Sequence, residues 1–523
     1  MIKIQNFSYA YPDKRGALKN IDLLISSGEF VLVAGPNGGG KSTLLQSILG
    51  VIPEYYDGDV KGDITFDGQS VKSIGIVGLA GKVGIVLQDP ESQISNLTAW
   101  EEVTFALGNL LLPKSDIIQR GTDALKTMKI TTIRDAFVDT LSGGQLQRLA
   151  IATLLAIKPK VLILDEPLAN LDPLGVGSVV EAIRILKEHI DIVIVASHWL
   201  DPFLDMSTRL LTVNEGSIVL DIPTEFLDSH LKDLETYSVE IPQKFLIKQV
   251  LSAQGITTTK LSAGKTFRQQ VSVPNHTGPN TVTMENVDYA YMDYPNTLKN
   301  ISLDIKSGSM SAIVGRNGAG KSTLAKLLAG LRKATRGRLL ASHRTVSMTM
   351  QKPSLSFLTG TLMEELRYGV NMSEQNAINI LANFNLEHLK NVSPFSLSGG
   401  EQRRFSLALA LSVKPDFIIL DEPTAGADAQ QVRFLQKLMT QFSETSVFIT
   451  HDPRLIGPFL TKVIVLENGF LAFEGDVVNM PAEMFNMLGY HYTNATVALA
   501  AKYLKVGIPT HPSQLEVIDE ISI

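Results

Sequence analysis

The stretch Phe30-Val31-Leu32-Val33-Ala34-Gly35-Pro36-Asn37-Gly38-Gly39-Gly40-Lys41-Ser42-Thr43-Leu44-Leu45 decides the fold. Its first residues form an apolar run suited to a buried strand, and the residues from Thr43 onward suit a helix. Between them lies the pattern G-x-x-x-x-G-K-[ST], in the strand–loop–helix context that it requires. Glycines let backbone N–H groups turn inward around phosphate oxygens, and the helix N-terminus adds positive potential. Lys41 is then placed to reach the terminal phosphates of a nucleotide, and the Ser42 hydroxyl to ligate Mg²⁺.

The pattern occurs twice. Gly315-Arg316-Asn317-Gly318-Ala319-Gly320-Lys321-Ser322-Thr323 follows the apolar run Ala312-Ile313-Val314. Two matches, each between a strand and a helix, make a chance glycine-rich turn negligible. The flanks repeat as well: Ala17-Leu18-Lys19-Asn20-Ile21 returns as Thr297-Leu298-Lys299-Asn300-Ile301, and Tyr11 as Tyr291. The spacing between copies is 280 at Lys41 and Lys321, but 256 at Asp165 and Asp421 and 253 at His198 and His451. The chain is therefore a duplicated domain whose second copy is shorter, mainly between Lys321 and Gln351. A trimmed surface hairpin is the expected cause.

A second element of chemistry repeats with it. Val161-Leu162-Ile163-Leu164 ends in Asp165-Glu166-Pro167, and Phe417-Ile418-Ile419-Leu420 ends in Asp421-Glu422-Pro423. Continuous apolar runs of this kind read as strands buried on both faces of a parallel sheet. An aspartate at the strand's C-terminal end, beside the phosphate loop, is placed to hold Mg²⁺. The glutamate after it can orient or deprotonate an attacking water.

Composition narrows the class. With 523 residues the chain is long enough for more than one core. A net charge of −6 leaves no overall basic footprint for nucleic acid, and none is expected as a partner. Cysteine is absent, which excludes disulfides and thiolate metal sites. No segment approaches the roughly 18 apolar residues of a spanning helix, and the N-terminus has no signal-peptide pattern. A membrane role would need other subunits to supply the spanning part.

Leu141-Ser142-Gly143-Gly144-Gln145 and Leu397-Ser398-Gly399-Gly400-Glu401 each lie 24 residues before the metal aspartate. Ser142 reads as the cap of a helix from Gln145 toward Ala156, with glycine N–H groups exposed at its positive end. Here the chain resembles the ATP-binding cassette (ABC) family, over nearly all of both halves. The resemblance implies an α/β fold of two tandem P-loop ATPase domains. Each would have a mostly parallel core sheet, an antiparallel β subdomain and a helical signature subdomain. It implies ATP and Mg²⁺ as ligands, and an intramolecular cassette dimer with each ATP shared between one P-loop and the opposite signature.

The family's other landmarks fall on particular residues. Tyr11 and Tyr291 match the aromatic that stacks on adenine, with Tyr9 and Tyr289 as the alternative pair. Gln88 and Gln351 match a Mg²⁺-sensing glutamine, and His198 and His451 the histidine that contacts the γ-phosphate. Asn170-Leu171-Asp172 and Gly426-Ala427-Asp428 match the loop that crosses between cassettes. The resemblance implies that one composite site joins Lys41, Asp165, Glu166 and His198 to Ser398 and Gly400. The other joins Lys321, Asp421, Glu422 and His451 to Ser142 and Gly144. Neither lacks a catalytic part, so two competent sites are expected.

Gln88-Asp89-Pro90-Glu91-Ser92-Gln93 is similar to the corresponding loop of energy-coupling factor (ECF) importers of the cobalt and vitamin type. In the second copy, Gln351-Lys352-Pro353-Ser354-Leu355-Ser356 keeps the proline but not the acid or the second glutamine. This resemblance implies a transmembrane coupling subunit, a membrane-embedded substrate-binding subunit, and a place on the cytoplasmic face of the cell membrane. A ribosome-binding tandem ATPase is the alternative. It would be expected to carry a long, charged, helical linker, whereas the residues before Asn280 are rich in Thr, Ser, Gly and Pro. Expected boundaries are 1–230 for the first cassette, 231–258 for an appendix and 259–280 for the linker. The second cassette is expected at 281–480, with its own appendix at 481–523.

Overall fold

A computed structural model of the chain describes residues 1–12, 16–87, 92–141, 143–169, 171, 173–242, 245, 279–291, 297–452, 454–456, 460, 462–476, 480 and 484. The chain divides into two compact units, the first mainly Met1–Phe245 and the second mainly Leu246–Ala425 and Gln431–Ile523. Among the described residues, no helix is long and apolar enough to cross a membrane.

The first unit opens with β1 (Ile2–Ala10) and β2 (Gly16–Ile25), an antiparallel pair with Ile4 opposite Leu23 and Tyr9 opposite Leu18. Alternate residues face inward, so Ile2, Ile4, Phe7 and Tyr9 are buried while Lys3 and Gln5 are exposed. With β4 (Asp59–Phe66) and β5 (Gln69–Ser70) they form an antiparallel sheet of order β2-β1-β4-β5. The main sheet is built from β3 (Phe30–Ala34), β6 (Val83–Val86), β7 (Val161–Asp165), β8 (Ile192–Ala196), β9 (Arg209–Asn214) and β10 (Ser217–Pro223). Its order is β10-β9-β3-β8-β7-β6, parallel except for β10 at one edge.

The apolar runs read from sequence become its central strands. All five residues of β3, β7 and β8 are buried. Successive side chains point to opposite faces and enter different cores. Leu162, Leu164, Val193 and Val195 join a cluster with the helices, while Val161, Ile163, Ile192 and Ile194 join one with the antiparallel sheet. Each such leucine or isoleucine contributes about 1.5–3 kcal/mol by leaving water.

Five helices position chemistry: α1 (Lys41–Ile48), α2 (Ala99–Asn109), α3 (Lys114–Thr127), α4 (Gly143–Ile157) and α5 (Pro173–Lys187). Thr98 caps α2 in a reciprocal box with Glu101. The helix α4 starts at Gly143, two residues before the expected start, so both signature glycines lie in its first turn.

The second unit repeats this plan. Its antiparallel sheet has the order β12-β11-β14, from β11 (Asn280–Tyr289), β12 (Leu298–Lys306) and β14 (Arg336–Ala341). Its main sheet has the order β15-β16-β17-β13-β18-β19, from β13 (Met310–Gly315), β15 (Val346–Thr349), β16 (Phe417–Asp421), β17 (Thr445–Ile449), β18 (Lys462–Glu467) and β19 (Phe470–Asp476). Its helices are α6 (Lys321–Leu328), α7 (Leu362–Arg367), α8 (Glu374–Asn383), α9 (Gly399–Ser412) and α10 (Ala429–Met439). The fold class expected from sequence is thus present in both units.

The shorter second copy needs a correction. What it lacks is not a complete hairpin but the return strand β5 and the helical segment Val71–Leu79, whose end residues Val71 and Leu79 are buried. In the second unit, β14 runs into β15 across only residues 342–345. The extra segment of the first unit therefore carries core contacts of its own.

Most of the expected linker and nearly all of the second appendix lie outside the described residues. At the start of the first appendix, Leu231, Leu234, Val239 and Ile241 are buried in the helical-side core of the first unit.

Candidate nucleotide site

Three neighbouring strands end at one edge of each main sheet and carry the predicted chemistry there. In the first unit, β3 leads into the phosphate loop, β8 into Ser197-His198, and β7 into Glu166. In the second, β13, β17 and β16 do the same for Gly315–Lys321, His451 and Glu422.

The phosphate loop is shaped by its glycines. Gly35 has φ +139° and Gly315 φ +148°, and each backbone passes so close to a carbonyl, Val213 or Leu466, that no Cβ fits. Both helices then start at the lysine. Lys41 Nζ donates to Gly35 O at 2.8 Å and Pro36 O at 3.1 Å. Lys321 Nζ donates to Gly315 O at 2.7 Å and Arg316 O at 3.1 Å. Burial lowers the pKa of Lys41, and the Glu166 and Asp165 carboxylates oppose that shift.

Asp165 and Asp421 are buried at the ends of β7 and β16. Burial raises both pKa values, against a hydrogen bond from Ser42 in one and from Ser322 in the other. The Ser322 Oγ to Asp421 Oδ2 distance is 3.3 Å. A hydroxyl and a carboxylate side by side are hard oxygen donors, and this donor set fits Mg²⁺. Bound there, the ion would neutralise phosphate charge.

Glu166 and Glu422 sit one residue past the strand, with φ +49° and +45°. Their N–H groups extend the strand ladder to Ala196 O and Ile449 O, at 2.9 and 2.8 Å. Burial pushes the Glu166 carboxyl up to about 7, with Asp165 adding and Lys41 opposing. Glu422 is pushed up to about 8 by burial, with Asp421 and Asp452 adding and Lys321 opposing. His198 Nε2 lies 3.4 Å from Glu166 Oε1, and His451 Nε2 lies 4.0 Å from Glu422 Oε1. His198 Nε2 is also 2.8 Å from Asn37 Oδ1. The arrangement brings a proton acceptor, an imidazole and an ammonium together at one phosphate-shaped loop.

The two tyrosine alternatives separate by environment. Tyr9 is 1% exposed, and its hydroxyl donates to Tyr56 O and Asp57 O at 3.3 and 3.1 Å, so it is a packing residue. Tyr11 stands edge-on to it, with its hydroxyl 3.2 Å from Thr43 Oγ1 beside the phosphate loop. Tyr291 repeats this against Thr323 at 3.4 Å.

In the signature of the second unit, Ser398 caps α9 and its Oγ accepts from the Glu401 N–H. Gly399 and Gly400 open that helix, as Gly143 and Gly144 open α4. Ser142, Gln88, Glu91, Asn170 and Asp172 lie outside the described residues. Gln351 is exposed just past β15.

Known proteins match the chain in both units. The family pattern described as ABC transporter matches residues 18–169 and 298–425. A Methanosarcina mazei protein provisionally named an ABC transporter ATP-binding protein is 31% identical, over 91% of this chain and 89% of its own. A Bacillus subtilis protein provisionally named an HMP/thiamine import ATP-binding protein is 30% identical, over 93% and 92%.

The chain belongs to the ABC transporter family.

It is an ATPase with two cassettes. Among solved structures, an archaeal ribosome recycling factor in complex with a ribosomal stalk protein superposes with a TM-score of 0.60 at 23% identity. It covers 89% of this chain and 88% of its own, and at that identity it shows the shared fold alone.

Several ABC cassette residues escaped the sequence reading. Glu102 is buried and accepts from the Ser95 and Asn96 backbone N–H groups, at 3.1 and 3.0 Å. Glu365 does the same for Leu358 and Thr359, at 2.9 and 2.6 Å. The repeat carried a signal for this pair, because Thr-x-x-Glu-Glu occurs at Thr98 and at Thr361. Gln93, quoted only as part of a motif, splices onto the free edge of β6: its Oε1 accepts from Leu87 N at 3.0 Å and its Nε2 donates to Ile85 O at 2.7 Å. Arg403, one turn into α9, is largely buried near Glu422, and burial lowers its pKa.

Proposed function

We propose that this ATPase is the energy-coupling subunit of an ECF-type membrane import complex, taking up a vitamin or a metal ion. ATP lies against Tyr11 and Gly35–Thr43 in the first unit and against Tyr291 and Gly315–Thr323 in the second, and the signature residues Ser142–Gly144 and Ser398–Gly400 are further ATP contacts. Mg²⁺ is held by Ser42, Gln88 and Asp165, and by Ser322, Gln351 and Asp421. Glu166 and Glu422 accept a proton from the attacking water, while His198 and His451 hold the γ-phosphate. A carboxyl raised toward neutrality by burial suits that task.

One surface observation carries the transport reading. Shortly after Gln93 in the sequence, Leu97 is 73% exposed, and Phe137 is 59% exposed. They are adjacent, since Phe137 bridges Thr98 and the Val138 N–H donates to Leu97 O. In the second unit Leu355 and Leu358 are similarly exposed, at 73% and 70%. Contiguous exposed apolar residues mark partner-binding surfaces, and a helix of a transmembrane coupling subunit fits them. The import-related name of the Bacillus subtilis relative supports the same reading.

Purification from native membranes tests the transport assignment. Co-purification with small hydrophobic subunits is expected; co-sedimentation with ribosomes would overturn it. Steady-state turnover of Glu166→Gln and Glu422→Gln, made separately, tests the two-site mechanism. Each is expected to lower the rate, and a variant with unaltered turnover refutes a role for that site.

A further inference from the structure

Tyr11 and Tyr291 follow closely on the ends of β1 and β11, and each ring is held at two points. Its edge meets the buried ring two residues earlier. The Tyr9 and Tyr11 centroids are 4.9 Å apart at 77°, and the Tyr289 and Tyr291 centroids 5.0 Å apart at 85°. Its hydroxyl meets a threonine hydroxyl in the first turn of the helix after the phosphate loop. The distance is 3.2 Å between Tyr11 and Thr43, and 3.4 Å between Tyr291 and Thr323. Both threonines are buried.

The arrangement repeats although the sequence after it does not. The first copy continues as Pro12-Asp13-Lys14-Arg15-Gly16, the second as Met292-Asp293-Tyr294-Pro295-Asn296. The two copies share the tyrosine two residues before the ring and the threonine two residues after the P-loop lysine. Those two contacts are therefore what sets the ring's place. A freely turning ring would lose that freedom when a base stacks on it, and binding would be weaker by the loss. A ring already held in the nucleotide-free protein loses little. The hydroxyl bond also fixes how far the ring stands from the phosphate loop, so base and phosphate chain meet one preset spacing.

We propose that Thr43 and Thr323 are positioning residues for the nucleotide base: each grips its tyrosine's hydroxyl and holds the ring in stacking position before the nucleotide arrives. The inference rests on the assignment of Tyr11 and Tyr291 as the base-stacking residues. It gives the hydroxyl a part that a bare phenyl ring does not supply, while the ring face does the stacking.

The test uses the full chain and changes both copies together. Its probes are ADP, which is not turned over, and inorganic pyrophosphate, which has no base. Tyr11→Phe with Tyr291→Phe keeps both rings and removes the tether. It is expected to weaken ADP about fivefold, the scale of one neutral hydrogen bond and one ring left to be ordered. Pyrophosphate affinity is expected to stay within about twofold of the parent, because the change reaches only the base. Thr43→Val with Thr323→Val removes the other end of the bond. In that background the tyrosine changes are expected to cost ADP nothing further, since the two ends of one bond do not add. Thermal melting confirms that each variant folds. Tyr11→Trp is no test of the tether, because its larger face adds stacking as it removes the hydroxyl. Parental ADP affinity in the chain with both tyrosines changed to phenylalanine overturns the inference. So does an equal loss in both threonine backgrounds, or an equal loss for pyrophosphate. Tyr11→Ala with Tyr291→Ala separates the two failures. If it leaves ADP affinity unaltered, the base-stacking assignment itself is wrong. If it weakens ADP while the phenylalanine changes do not, only the tether is lost.

Discussion

Replacing Glu166 by glutamine is expected to stabilise the nucleotide-free protein while removing the carboxylate proposed as proton acceptor. The carboxyl is buried and pushed up to about 7 from an ordinary value of 4.5. A raised acid binds its proton more tightly in the folded state than in the unfolded one. Folding stability therefore falls as pH rises between those two values, and above about 7 the full penalty applies. A shift of this size corresponds to about 3 kcal/mol. Glutamine has the same shape, carries no charge, and can still accept the hydrogen bond that the His198 N–H gives to Glu166 Oε2 at 3.4 Å. In a unit of this size, 3 kcal/mol raises the melting midpoint by roughly 6–12 °C. The assay is calorimetric melting without nucleotide or Mg²⁺, from pH 4 to pH 8.5. The variant is expected to match the parent at pH 4 and to exceed it increasingly up to about pH 7. For Glu422→Gln the window extends to about pH 8. No gain at pH 8.5, or a gain independent of pH, would refute the claim that a buried charge destabilises the site.

Tyr11→Ala is expected to weaken ATP binding by ~1–3 kcal/mol, as loss of base stacking does, with Tyr11→Trp retaining affinity in equilibrium titration. Tyr9→Phe should leave affinity unchanged and lower only the melting midpoint, because its hydroxyl serves Tyr56 O and Asp57 O. Gln93→Leu removes both hydrogen bonds to the edge of β6, so the Leu87 amide should exchange with solvent faster, by hydrogen–deuterium exchange, while the amides of β7 do not change.

The fold was legible because its signals are local or periodic. Val161–Leu164 and Phe417–Leu420 are uninterrupted apolar runs, and both became fully buried strands. The phosphate loops were legible because Gly35 and Gly315 tolerate no side chain, which leaves glycine as the sole solution in both copies. The staples were not legible in this way. Gln93 hydrogen-bonds to a strand that ends seven residues earlier, and Tyr9 reaches the Tyr56 and Asp57 carbonyls from another strand altogether. Such contacts depend on which loop ends the sheet order brings together, and they leave no period in the sequence. The Val71–Leu79 segment was misjudged for a related reason. The piece missing from the second copy was expected to be a surface hairpin, yet a bend at Gly75 with φ +67° lets both ends of this segment reach the core.

The left-handed backbone at Glu166 and Glu422 has a consequence for anyone selecting hardier versions of this chain. A non-glycine residue at such a φ costs on the order of 1–2 kcal/mol, and glycine would relieve it. Among the positions with such strain to relieve are therefore the two proposed to serve hydrolysis. Screening by heat alone is expected to include inert chains among its hits, so a useful selection must demand turnover in every round.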